Sequence, residues 1–204
     1  MGEGQDQPDE RLVLLAKDGN LEAFNRLVER YQRPVYSLCY RLLGFREPAE
    51  DATQETFLSA YRSLDRFAGG NVRSWLLRIA ANESKDELRR QKRKVSDSLD
   101  AMVERAGSTL ELADPAAEAG NVVERLTITA DWERALLGLP FDQRQALLLV
   151  DVYDFHYDEV AVMTGASLGT IKSRIHRGRE RLRELVTSHP ELFAGTERQE
   201  GRSP

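Results

Sequence analysis

Lys172, Arg174, Arg177, Arg179, Arg181 and Arg183 crowd one short stretch of this chain. Cations along a helix can meet phosphates, and side chains near its start can donate to base edges in a DNA major groove. The residues before them suit that use. Asp158-Glu-Val-Ala-Val-Met-Thr-Gly165-Ala-Ser-Leu-Gly-Thr-Ile-Lys-Ser-Arg-Ile-His-Arg177 has the pattern of a helix-turn-helix. Val160, Ala161, Leu168, Ile171 and Ile175 are spaced to bury the facing sides of two short helices. Gly165 stands where the chain must turn sharply, and Ser167 is placed to cap the second helix. Sequence-selective DNA binding is the first functional expectation.

A second constellation lies upstream. Ser74, Arg78, Asn82, Lys85, Arg89 and Lys92 recur at steps of four or three and form one polar helical stripe. Cations with an amide and a hydroxyl can follow a phosphate backbone and bond base edges. The Gly-containing loop Arg66 to Arg73 can approach an extruded base closely. Together these suit the holding of single-stranded DNA. An ordinary solvated helix face has the same pattern, although the run Arg89-Arg-Gln-Lys-Arg-Lys94 adds weight to binding. Asp51, Gln54 and Glu55 lie together at i, i+3 and i+4. Such a patch can dock on a basic protein surface, but spacing alone favours a plainer role as acidic residues near a helix N-terminal dipole.

Catalysis finds little support. His156, His176 and His189 are scattered, and no Cys, His or carboxylate set has metal-ligand spacing, so neither a metal nor a cofactor is expected. His176 lies on the proposed recognition helix, where it suits DNA better than a metal. Cys39, Tyr36, Tyr40 and Trp132 read as packing residues.

Composition frames these sites. A net charge of −5 is unusual for a DNA binder until it is divided. Lys85 to Lys94 carries +4 and Lys172 to Arg183 carries +5, which leaves −14 on the remainder. Two basic patches can hold nucleic acid while the acidic remainder discourages indiscriminate binding. No window approaches the roughly 18 apolar residues of a membrane span. The polar, acidic N-terminus is unlike a secretory signal, and a single cysteine suits a reducing cytoplasm.

The elements that must position these residues are helical, and no strand alternation is evident. Phe24, Leu27, Val28, Tyr31, Val35, Leu38, Cys39 and Leu42 recur at helical steps, with Asn20 as cap, Gly44 as stop and a kink at Pro34. A second helix is expected from Pro48, burying Phe57, Ala60, Tyr61 and Leu64. A third runs from a cap at Asn71 to about Gln91, with Val72, Trp75, Leu76 and Ile79 buried. Residues 95–130 read as a mobile acidic linker. Helical pattern resumes near Asp131, breaks at Gly138 and Pro140, and runs through Phe141–Tyr153 into the DNA-reading pair; a frayed tail is expected after about Ser188.

Taken together, the chain resembles a group IV (extracytoplasmic-function, ECF) sigma factor of bacterial RNA polymerase. The resemblance spans about Leu21–Arg93 and Asp131–Leu185. Its most specific motifs are Asp51-Ala-Thr-Gln-Glu-Thr-Phe57, Arg73-Ser-Trp-Leu-Leu-Arg-Ile-Ala-Ala-Asn82 and Gly169-Thr-Ile-Lys-Ser-Arg-Ile-His-Arg177. It implies an all-α fold of two small helical domains. Residues 1–20 would form an N-terminal extension with a short helix, 21–94 region two, 95–130 the linker, 131–187 region four and 188–204 a tail. Asp51, Gln54 and Glu55 would dock on the clamp helices of the polymerase's largest subunit, and region four on the flap of the second-largest. Arg66, Asn71, Arg73, Arg78, Asn82, Lys85 and Arg89 would open the promoter −10 element and capture a flipped base. Lys172, Ser173, His176 and Arg177 would read the −35 element, with Thr170 and Arg174 securing phosphates. The family often carries an aromatic or aliphatic residue where His176 stands. An anti-sigma factor is the further partner that the resemblance implies. Two other readings remain: a dimeric stand-alone transcription regulator, which leaves the Arg78–Lys92 stripe and the Asp51 patch without purpose, and a DNA-processing enzyme, which lacks a catalytic cluster.

Overall fold

The computed structural model describes residues 7–102 and 130–188. The chain divides into two compact units, Met1–Ser108 and Thr109–Pro204. Among the described residues every regular element is helical, as the periodicity predicts.

The first unit is a four-helix assembly of α1 (Asp9–Lys17), α2 (Leu21–Leu43), α3 (Arg46–Ser63) and α4 (Val72–Met102), with a short 3-10 turn at Leu64–Arg66. Asn20 caps α2 by accepting from the Ala23 N–H at 3.1 Å. Gly44 ends it in the left-handed conformation at φ 83°. Pro34 stands inside α2, and the helix continues through it to Leu43. The short helix α1 is part of the core: Leu12, Val13 and Ala16 are buried. Asp9 accepts from both Arg30 and Tyr31 of α2.

Helix α3 begins at Arg46 rather than Pro48; Phe57, Ala60 and Leu64 are buried as the spacing predicts, and Tyr61 is the exception. Ala49, Ala52, Thr56 and Ala60 are fully enclosed, whereas Tyr61 is 43% exposed and meets Phe24 edge-on at 5.0 Å. On α4 the enclosed residues include Val72, Leu76, Leu77, Ala80, Ala81, Ser84 and Glu87. Trp75 and Ile79 stand half-buried at the margin, with Trp75 against Phe67 at 4.7 Å. Small side chains (Ala49, Ala52, Ala60, Ala80, Ala81 and Ser84) share the inward faces of α3 and α4 with the large ones, so apolar bulk alone does not delimit the inward face. Helix α4 continues to Met102, past Gln91 and into the stretch assigned by composition to the linker. No helix-breaking Gly or Pro interrupts the chain from Asn71 to Ala106. The rest of the expected linker, and the tail after Ser188, lie outside the described residues.

The second unit comprises α5 (Ala130–Leu137), α6 (Phe141–Leu147), a π-helical turn (Leu148–Val152), α7 (Tyr157–Thr164) and α8 (Leu168–Ser188). Leu136, Leu148, Leu149, Val160, Ile171 and Ile175 form its core. The buried Arg144 donates to the carbonyls of Leu136 and Leu137 at 3.4 and 2.9 Å, satisfying the end of α5. Burial pulls its guanidinium down to about 10, which leaves it charged at neutral pH. Gly178 lets α8 cross α6 closely, since a Cβ there would meet Leu147 Cδ1 at 3.3 Å.

Candidate nucleic-acid interface

Helices α7 and α8 form the helix-turn-helix. Gly165 turns the chain at φ 66°, and the Ser167 hydroxyl caps α8 by accepting from the Thr170 N–H at 3.1 Å. Val160, Ile171 and Ile175 are buried as the spacing predicts. Ala161 is only half-covered, and Leu168, at the first turn of α8, is 44% exposed rather than part of the core. Lys172, His176 and Arg177 stand exposed on the opposite side of α8, with Ser173 half-buried beside them.

Three of these side chains are held in place. Arg177 donates to Ser173 Oγ at 2.6 Å, and the Thr170 and Ser167 hydroxyls are 2.8 Å apart. His176 Nε2 lies 3.3 Å from Glu180. Arg174 donates one N–H to Asp142 of α6 at 2.6 Å, which ties its guanidinium to the flank of α8. A carboxylate so far away in sequence leaves no trace in local spacing. Asp151 in the π turn is equally hidden: it takes both Nε and Nη2 of Arg179, at 3.0 and 2.6 Å.

In the first unit, Arg78, Asn82, Arg89 and Lys92 are exposed along one side of α4, with Ser74 and Lys85 half-buried among them. The stripe predicted from periodicity is therefore on the surface. Acidic residues share it. Arg89 pairs with Asp86 at 3.0 Å, and Glu83 and Asp86 join Arg89, Arg90, Lys92 and Arg93 around a shallow depression. Arg66 and Arg73 are exposed at either end of the loop between α3 and α4. Asn71 Oδ1 accepts from the Ser74 N–H at 2.9 Å, so its side chain caps α4.

The loop itself is anchored by a residue that sequence reading passed over. Lys17, at the end of α1, donates through Nζ to the Phe67 carbonyl at 2.7 Å. Nothing in residue spacing connects Lys17 to this loop, because the contact depends on how α1 packs.

On α3, Asp51 and Gln54 are exposed and Glu55 is half-exposed, so the three do share an outward surface. Leu58, one turn further on, is 48% exposed on the same side and was not expected there. An apolar residue beside a polar patch is a common composition for a protein-docking surface. Among the described residues no three His, Cys, Asp or Glu side chains group to hold a metal ion, and no helix is long and apolar enough to cross a membrane. Burial raises the Cys39 thiol above its ordinary range, and it packs against Ser84, Thr53 and Thr56, which makes it a core residue.

Comparison with known proteins agrees with this geometry. Residues 27–94 match the family Sigma-70 region 2, and residues 130–182 match Sigma-70, region 4. The chain is 34% identical over 174 residues to the ECF RNA polymerase sigma factor SigW of Bacillus subtilis, covering 83% of this chain and 92% of that one. It is 36% identical over 169 residues to the ECF RNA polymerase sigma factor SigE of Mycolicibacterium smegmatis, covering 83% of this chain and 63% of that longer relative. Among solved structures, the sigma factor RpoE of Bartonella quintana, crystallised with the anti-sigma factor NepR, aligns with a TM-score of 0.60 at 30% identity. That alignment covers 80% of this chain and 96% of the other. With both family regions present, in order, on two separate helical units, the chain belongs to the ECF (group IV) sigma factors.

Proposed function

We propose that this protein docks on core RNA polymerase in the cytoplasm and directs it to a particular set of promoters. The observation that carries the reading is the exposed side of α8. Lys172, His176 and Arg177 stand clear of the core on a helix capped at Ser167, with Thr170 at its start. Lys172, Ser173, His176 and Arg177 read bases of the −35 element. Thr170 and Arg174 hold phosphates, the latter with the N–H donors that Asp142 leaves open.

The −10 element is the task of the first unit. Arg78, Asn82, Lys85 and Arg89 follow the non-template strand, and Arg66, Asn71 and Arg73 frame the loop that receives a flipped base. Unstacking a base costs a few kcal/mol, which a pocket for that base partly offsets. Asn71 serves by capping α4 and so shaping this loop. Asp51, Gln54 and Glu55 dock on the clamp helices of the largest polymerase subunit, while region four meets the flap of the second-largest. An anti-sigma factor is the second protein partner, a reading supported by the complex that the Bartonella quintana relative forms with NepR. The protein itself catalyses nothing; it lends sequence choice to the polymerase.

Run-off transcription with sigma-free core polymerase and a promoter panel tests this. Transcripts that need both core and this protein are expected. DNase footprints formed without core, with no transcript when core is added, would instead favour a stand-alone regulator.

A further inference from the structure

Arg179 differs from the other cations of α8 in how fully it is held. The buried stripe of this helix is Ile171, Ile175, Gly178 and Leu182. At about 100° per residue, Arg179 stands at the edge of that stripe, on the side shared with Lys172 and His176. A helix lying in a major groove turns such edges toward the phosphate-lined walls. An arginine there would ordinarily be a phosphate contact. Here Nε and Nη2 both donate to Asp151, at 3.0 and 2.6 Å, and Tyr157 of α7 also interacts with the guanidinium. This two-point fork is the geometry by which an arginine would grip a phosphate. Turning Arg179 toward DNA would leave Asp151 uncompensated near a polyanion, so the pair resists exchange.

Phosphate attraction acts on any sequence, whereas base contacts act on one. We propose that Asp151 is a specificity determinant of the second unit: it withholds Arg179 from DNA phosphates and so lowers sequence-independent affinity relative to base reading. The inference rests on α8 being the DNA-reading helix. Asp151 lies outside the surface that reads bases, in the π turn, and acts through Arg179 alone. Arg174 is a useful contrast, because Asp142 engages only one of its nitrogens.

The test is the salt dependence of binding by the full chain to a random-sequence duplex, alone and with core polymerase, followed by fluorescence anisotropy. Arg179→Ala should leave the slope of log affinity against log salt at its wild-type value. Asp151→Asn should steepen that slope by about 0.9, the value of one added phosphate contact. The Asp151→Asn, Arg179→Ala double variant should return to the wild-type slope. Asp158→Asn, an equal charge change at an exposed position of the same unit, should not reproduce the effect. A slope flattened by about 0.9 in Arg179→Ala would show that Arg179 already meets a phosphate and would overturn the proposal. So would an unchanged slope in an Asp151→Asn protein that melts as a folded chain; should that variant not fold, the Arg179→Ala arm decides alone. Absence of salt-dependent binding by the wild type, with and without core, would remove the DNA-reading role of α8 and this inference with it.

Discussion

Two residues show how local chemistry is set before any partner arrives. Arg177 is exposed on α8, yet its guanidinium already donates to Ser173 at 2.6 Å, so less side-chain freedom would be lost in the base contact proposed for it. Arg177→Ala should weaken holoenzyme binding at the −35 element by roughly 1–3 kcal/mol and relax the preference at one base pair. Binding to systematically substituted duplexes would measure both, and an unaltered base preference would count against the assignment. Tyr31 illustrates the scaffold. Burial first, then its bond to Asp9, pushes the phenol from 10.0 up to about 12. The folded state thus keeps a proton that the unfolded chain releases. The resulting stability is fully present below pH 10 and is lost as pH rises through about 12. Melting curves of wild type and Tyr31→Phe should therefore converge across that window; a constant gap would show that the phenol does not titrate with folding.

Helix ends and helix faces decide the next scale. Asn71 caps α4 at the point where the loop proposed to receive a base joins the helix. Asn71→Ala should destabilise the first unit by about 1 kcal/mol and slow promoter opening, as measured by thermal denaturation and permanganate reactivity of the −10 element. Normal opening in a destabilised protein would separate the cap from the loop. Caps, turns and the helix-turn-helix were legible in the chain because they depend on residues within four positions of one another. Asn20, Gly44, Asn71, Gly165 and Ser167 all take the positions that their chemistry predicts. The inward face of α3 was less legible. Phe57, Ala60 and Leu64 are buried as the spacing predicts, but Ala49, Ala52 and Thr56 share that face without drawing the eye, and Tyr61 stands at its margin. Helix α4 runs beyond Gln91 because a polar composition does not by itself mark the loss of helix.

At the scale of the whole molecule, two units each carry a basic surface within an acidic chain. Neither surface need bind tightly if a polymerase holds both in register, since linked sites raise one another's effective concentration. The α3 patch is the proposed point of that attachment. Asp51→Arg with Gln54→Ala should reduce co-purification with core polymerase about tenfold or more, while the helical content of the chain stays unchanged. Undiminished co-purification of the folded variant would move the docking surface elsewhere. Both altered side chains are outside the core, so the measurement separates docking from folding.

What the chain determined unaided was the all-helical character, the two basic constellations, the turns and caps, and the family, because each is written in periodicity or in motifs of neighbouring residues. The tertiary structure alone decided which cations are free to act. Lys17 holding the Phe67 carbonyl, Asp142 on Arg174 and Asp151 on Arg179 all join residues from separate elements. Such pairings arise only when packed helices bring distant charges within hydrogen-bond reach, and no rule of local spacing foretells them.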